Sequence, residues 1–309
     1  MAIYRLEVKI ISREKRGRSV VAAAAYRTGT KLHGEREAKM HDYSRRAKGV
    51  MATTILTPEG APDWTRDSQL LWNGVEAAEK RADAALAREF ILAVPNELSA
   101  DAQFQLAVDW SRRELVSNGM VVQVCLHHPQ KGANAHVHVL CTTRRLDGEN
   151  FSAKKARDWD KVEMLLAQRG SWADSVNAAL EKVGSTERVD HRSLKARGID
   201  QIPQPKIGVA ATAMEKRGVV QDSTRRQEVR FVKLLNEVMP HRRAIERGGE
   251  VKQMGVGATW WEKSAHFLNR VKETARETVL DAWRSMLEPW KRARHDLTPP
   301  PQTGQDISR

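Results

Sequence analysis

Cysteine is almost absent from this chain: its 309 residues include two, Cys125 and Cys141. Both sit inside apolar, strand-like runs, so a disulfide-stapled scaffold is excluded and a reducing cytoplasm is the expected setting. Long hydrophobic runs are missing as well. The longest apolar stretches, such as residues 19–26, fall far short of the roughly 20 residues that a membrane helix needs. The opening MAIYRLEVKI has no basic leader followed by a long apolar core, so it reads as a strand and not as a signal peptide. Internal repeats are not visible. Tyrosine is scarce too, with Tyr4, Tyr26 and Tyr43 as the full set.

Charge is plentiful. Lys and Arg outnumber Asp and Glu by 52 to 39, a net charge of +13. Such a surplus favours a polyanionic partner, because Lys and Arg contacts to phosphate release condensed counterions. Apolar residues make up 40% of the chain, enough for a packed core.

Periodicity predicts an opening strand over residues 2–12 and, after Gly17, a helix capped by Ser19 that runs through VVAAAAYRTGTKL. A strand follows at 52–56, a helix at 68–86, a strand at 89–94 and an amphipathic helix from Ser99 to about Ser117. Residues 120–126 and 135–143 are strongly β-forming and separated by a short polar loop, which predicts an antiparallel hairpin. A helix returns over 160–182. The order β, α, β, α, β, α, β, β, α predicts an α+β domain over residues 1–184: a mainly antiparallel central sheet with helices packed on one side. Residues 185–222 read as an extended basic arm. Residues 223–309 read as a helical basic extension that carries Trp260, Trp261, Trp283 and Trp290 and ends in a disordered tail.

The chemistry concentrates in residues 121–144, VVQVCLHHPQKGANAHVHVLCTTR. Alternate residues of a strand face one side, so His136 and His138 project together. Across the hairpin, His127 or His128 can supply a third imidazole; being adjacent, only one of the two faces that side. Three neutral imidazoles leave coordination positions open, the pattern of a catalytic metal site. Imidazole suits Zn, Cu, Ni and Fe and tolerates Mn when phosphate oxygens complete the shell. The alternative is a polar strand face with no metal. His33, His41, His191, His241, His266 and His295 lie among charged residues and are expected to face solvent.

Tyr4 alternates within the first strand and is expected to pack. Tyr43 sits in the polar segment HDYSRR, where it either stacks on a base or has no role. Tyr26 stands among small residues in AAAAYRTGTK, which leave its phenol accessible to a bulky phosphodiester, with Arg27 and Lys31 nearby. A phenol of pKa about 10 is a poor nucleophile without a metal, base or cation, and packing is the commoner fate of a tyrosine. Glu89, opening an apolar strand, either orients a histidine, accepts a proton, or is an exposed strand start.

Together these segments resemble the MobA/MobL (MobQ-type) plasmid mobilisation relaxases of the HUH endonuclease superfamily. The resemblance rests on MAIYRLEVKIISREKRGRSVVAAAAYRTG, AREFILAVPNELS, LHHPQKGANAHVHVLCTTR, GENFSAKKARDW and VDHRSLKARGIDQIPQPKIG, and it runs through much of residues 1–220. It implies that Tyr26 is the nucleophile, Glu89 the active-site acid, and His127, rather than His128, the third metal ligand beside His136 and His138. The implied cofactor is a divalent ion, Mn²⁺ or Mg²⁺ first, then Zn²⁺, Ni²⁺ or Cu²⁺. The implied partner is single-stranded origin-of-transfer DNA in a bacterial cytoplasm, met by Arg27, Arg144, Lys154, Lys155 and Arg157, with relaxosome accessory proteins and a coupling ATPase as further partners. Asn134-Ala135-His136 departs from the Asn-Pro-His of many relatives. Rival readings are a rolling-circle replication initiator, in which the tyrosine usually follows the histidines, a non-catalytic nucleic-acid-binding protein and a small metal-dependent hydrolase.

Overall fold

The computed structural model describes residues 3–13, 19–128 and 135–219, together with isolated positions between 226 and 236. The elements are β1 (Leu6–Ser12), α1 (Val20–Thr28), β2 (Lys31–Gly34), β3 (Lys39–Asp42), β4 (Val50–Leu56), α2 (Ser68–Ala78), β5 (Ala85–Ala93), α3 (Ala100–Glu114), β6 (Val122–His127), β7 (His136–Cys141), β8 (Leu146–Asp147), β9 (Asn150–Phe151), α4 (Val162–Lys182) and α5 (Val209–Lys216). One compact unit ends at Ile199 and a second begins at Asp200.

Five strands form the central sheet in the order β1-β5-β7-β6-β4, and every neighbouring pair is antiparallel. The α+β class and the β6–β7 hairpin thus stand as expected. The placement of helices on one side does not. Val122, Val124 and Leu126 of β6 and Val137 and Val139 of β7 pack with α3 and α4 around Trp110 and Trp172. On the opposite face, α1 and α2 pack through Val21, Ala24, Leu71, Trp72 and Val75 with Leu140 of β7. Every residue of β6 is therefore buried. A strand covered on both faces reads as a continuous apolar run, and the simple alternation that would reveal two layers is lost.

Boundaries moved where long-range contacts outweigh local preference. α1 stops at Thr28, short of the expected Leu32, because Gly29 adopts the left-handed conformation at φ 66°. The N–H groups of Gly29 and Thr30 both return to the Ala25 carbonyl, closing the helix end. α2 stops at Ala78 instead of continuing to residue 86. The Arg13 guanidinium takes the carbonyls of Glu76, Glu79 and Arg81 while pairing with the Glu76 carboxylate at 2.7 Å. Residues 85–88, which have good helix propensity, instead begin β5 because Ala85 and Ala87 find partners in Ser12 and Ile11 of β1.

The β2–β3 and β8–β9 hairpins were not expected. The first buries His41, whose Nε2 lies 2.9 Å from Glu37, so this histidine does not face solvent as anticipated. Residues 185–190 have no regular structure, yet the Asn177 amide of α4 holds both the N–H and the carbonyl of Val189. In the second unit, α5 is a helix inside the segment read as an extended arm. The loop 129–134, the segment 14–18, His241, His266, His295 and the expected helices with Trp260, Trp261, Trp283 and Trp290 lie outside the described residues.

Candidate active site

Sheet register brings the histidines together. β7 lies between β5 and β6, and His136 pairs with His127 while His138 pairs with Cys125. The three rings of His127, His136 and His138 have centroid separations of 4.7–5.4 Å. One nitrogen from each lies within 4.8 Å of the others, close enough for a single ion. His127 thus joins the cluster, while His128 does not belong to it.

The hydrogen bonds around the cluster orient the rings. The Arg27 carbonyl at the end of α1 can only accept, so the His127 Nε2 that meets it at 2.6 Å donates and leaves Nδ1 for a ligand role. His138 Nδ1 lies 2.6 Å from Glu89 Oε1, which leaves its Nε2 available. A carboxylate or carbonyl fixing the tautomer of an imidazole is the arrangement that supports metal ligation. Three imidazoles, two of them so oriented, fit a divalent ion of the transition series or Mn²⁺ with phosphate oxygens completing the shell.

Electrostatics agree with the geometry. Burial penalises charge on His127, and the neighbouring His138, His136 and Arg46 add to that, lowering its pKa to about 4 against the raising effect of the Arg27 carbonyl. A neutral imidazole is the ligating form. Burial alone would raise the pKa of Glu89, but hydrogen bonds from His138 and Arg27 outweigh it and hold the carboxyl down to about 2. Glu89 is 3% exposed; it is an internal anchor and not a surface strand start.

Tyr26 lies on the last turn of α1, next to the residue whose carbonyl meets His127, and it is 37% exposed. Its ring has Tyr43 edge-on at 5.3 Å and the Arg46 guanidinium over its face at 4.0 Å. Tyr4, as expected, packs into the core while donating its hydroxyl to the Arg169 carbonyl at 2.9 Å.

The expected DNA contacts divide. Arg27 turns inward, with its Nε on Glu89 Oε1 at 2.6 Å and Nη1 on the Ala23 carbonyl. Arg144 and Lys155 converge on the buried Glu79 at 2.9 and 3.2 Å, beyond the end of β7 opposite to His136. These three cations are already matched by carboxylates of the fold. Lys154 and Arg157 remain exposed, Arg157 lying 3.6 Å from Asp160. Arg46 carries no local sequence signal for its place over the Tyr26 ring.

The family model described as the MobA/MobL family matches residues 18–217. The chain belongs to the MobA/MobL family. Mobilization protein MobL of Acidithiobacillus ferridurans is 34% identical over 288 residues, which cover 83% of this chain and 72% of that protein. Conjugal transfer protein TraA of Rhizobium radiobacter is 34% identical over 247 residues, 70% of this chain but 22% of its own length, so this chain spans a minor part of it. A solved structure described as "Molecular Basis of Vancomycin Resistance Transfer in Staphylococcus aureus" is similar with a TM-score of 0.58 and 32% identity, covering 62% of this chain and 100% of that one. The membership expected from the motifs therefore holds for this MobA/MobL protein. Among its described residues, no helix is long and apolar enough to cross a membrane.

Proposed function

We propose that this MobA/MobL chain is a relaxase that nicks one DNA strand at a plasmid transfer origin and can rejoin it. The observation that carries the reading is the cluster of His127, His136 and His138, with imidazole nitrogens within 4.8 Å of one another beside the helix end that bears Tyr26. His127, His136 and His138 would hold a divalent cation, with Mn²⁺ or Mg²⁺ favoured over Zn²⁺, Ni²⁺ or Cu²⁺. When bound, such an ion supplies Lewis acidity to the non-bridging oxygens of a phosphate.

The remaining steps belong to side chains. Tyr26 attacks the phosphorus in line, forming a bond from its phenolic oxygen to the 5′-phosphate. The bond to the 3′-oxygen breaks, and the proton lost by the phenol is matched by the one gained by the released 3′-hydroxyl. One ester replaces another, so the reverse step reseals the strand. Glu89 holds the His138 ring and the Arg27 side chain in place. The substrate is single-stranded origin DNA in the bacterial cytoplasm, with the exposed Lys154 and Arg157 placed for phosphate contacts and with accessory proteins and a coupling ATPase as later partners.

The test is to incubate the protein and Mn²⁺ with a single-stranded oligonucleotide spanning the inverted repeat beside its coding region, then run a denaturing gel. A covalent protein–DNA band is the expected product. Free cleaved DNA without that band would indicate a hydrolase, and no reaction would leave a binding protein.

A further inference from the structure

The 3₁₀ turn Ser44–Gly49, sequence SRRAKG, follows β3 and leads into β4. No motif in the chain singles it out, yet backbone bonds fix it at both of its ends. The Tyr43 N–H donates to the Thr30 carbonyl just past α1, and the His128 N–H donates to the Gly49 carbonyl. Its seat against α1 depends on a missing side chain. A Cβ on Gly29 would stand 2.8 Å from both the Cα and the N of Ala47, so only glycine admits the turn at this distance.

The seating delivers Arg46 to the face of the Tyr26 ring, 4.0 Å from its centroid, while Tyr43 meets the ring edge-on. Two other cations at the end of α1 and the start of β2 are committed elsewhere. Arg27 is paired with Glu89 and Lys31 with Asp42. Arg46 is exposed, and among the described residues no carboxylate lies within 4 Å of its guanidinium. A guanidinium stacked on a phenol is held by the ring quadrupole and by planar contact, which an ammonium reproduces in part.

We propose that Arg46 is a positioning residue for the nucleophile: it clamps the Tyr26 ring in its attacking orientation and places an uncommitted positive charge where the phosphodiester must arrive. The inference rests on the relaxase reading above. It separates Arg46 from residues that bind DNA in general, because its effect falls on the rate of strand transfer through Tyr26 and little on affinity.

The experiment compares wild type, Arg46→Ala and Arg46→Lys as full chains, using the origin oligonucleotide and Mn²⁺. Single-turnover rates of covalent adduct formation are measured at saturating protein. Affinity for the uncleaved oligonucleotide is measured with each change placed in a Tyr26→Phe background. Arg46→Ala is expected to slow adduct formation about 100-fold and Arg46→Lys about 10-fold, with affinity changed less than 3-fold, the partial rescue reflecting retained charge without the planar stack. An adduct rate for Arg46→Ala within 3-fold of wild type overturns the proposal while the relaxase reading stands. A loss expressed wholly as weaker binding overturns it too, as does an equal loss in both variants accompanied by a lowered melting temperature. Absence of any adduct with wild type removes the relaxase reading itself, and the proposal with it.

Discussion

One oxygen of Glu89 receives both the Nδ1–H of His138 and the Nε–H of Arg27, each at 2.6 Å. That single atom ties a ring of the histidine cluster on β7 to the helix carrying Tyr26. A carboxamide accepts more weakly and also brings donors that neither partner can use. Glu89→Gln is therefore expected to lower Mn²⁺ affinity about 10- to 100-fold, in the range usual for partners that orient metal-bound histidines. His136→Ala is expected to abolish stoichiometric binding. Isothermal titration with Mn²⁺ checks both, and unchanged affinity in either would count against the ligand assignment. At this scale the sequence was informative where geometry is local. His136 and His138 share a face because a strand has period two, and that follows from the sequence itself. The pairing of Arg27 with Glu89 was not legible because the two lie 62 positions apart, and a charge matched across such a separation looks free in a sequence. The stacking of Arg46 on Tyr26 was not legible for the same reason: it arises from a close approach to α1 that no neighbouring residue announces.

Elements position these residues, and the end of α1 is the most exacting joint. Gly29 serves it twice, by taking the left-handed conformation that closes the helix and by leaving room for Ala47. Gly29→Ala is expected to cost about 1–2 kcal/mol from the left-handed backbone alone and to push the Ser44–Gly49 turn away from Tyr26. Gly60→Ala is the control, since Gly60 also has a positive φ (71°) but a Cβ there would meet nothing within 4 Å. Thermal melts should show comparable destabilisation from backbone strain in both variants, plus an added loss in Gly29→Ala. Adduct formation should fall only in Gly29→Ala, and equal activity in the two variants would show that the turn's seat is unimportant. The long, strongly periodic helices and the β6–β7 hairpin were legible in the sequence. The β2–β3 pair was not, because strands of four residues such as KLHG and KMHD carry too few apolar positions to show alternation. The overrun of α2 has another cause: its last carbonyls are claimed by Arg13, 63 to 68 positions earlier in the chain.

In the first unit, helices cover both faces of the sheet and bury its central strands, while the edge strands stay partly exposed. Trp110 and Trp172 meet edge-to-face at 5.5 Å beneath one face, while α1 and α2 cover the other and hold the site side. The charge of +13 is unevenly available, because Arg13, Arg27, Arg144 and Lys155 are spent on internal carboxylates. In the proposed reaction, attraction to DNA would fall to exposed cations such as Arg46, Lys154 and Arg157. The family match spans residues 18–217 and so includes every residue given a role in the reaction. The proposed covalent event can be located directly. The decisive measurement is protease digestion of the protein–oligonucleotide adduct followed by mass spectrometry. Our account predicts that the nucleotide mass is carried by the peptide containing Tyr26 and that no adduct forms when EDTA is present throughout. Nucleotide mass on a peptide containing Tyr4 or Tyr43, or undiminished adduct in EDTA, would contradict it.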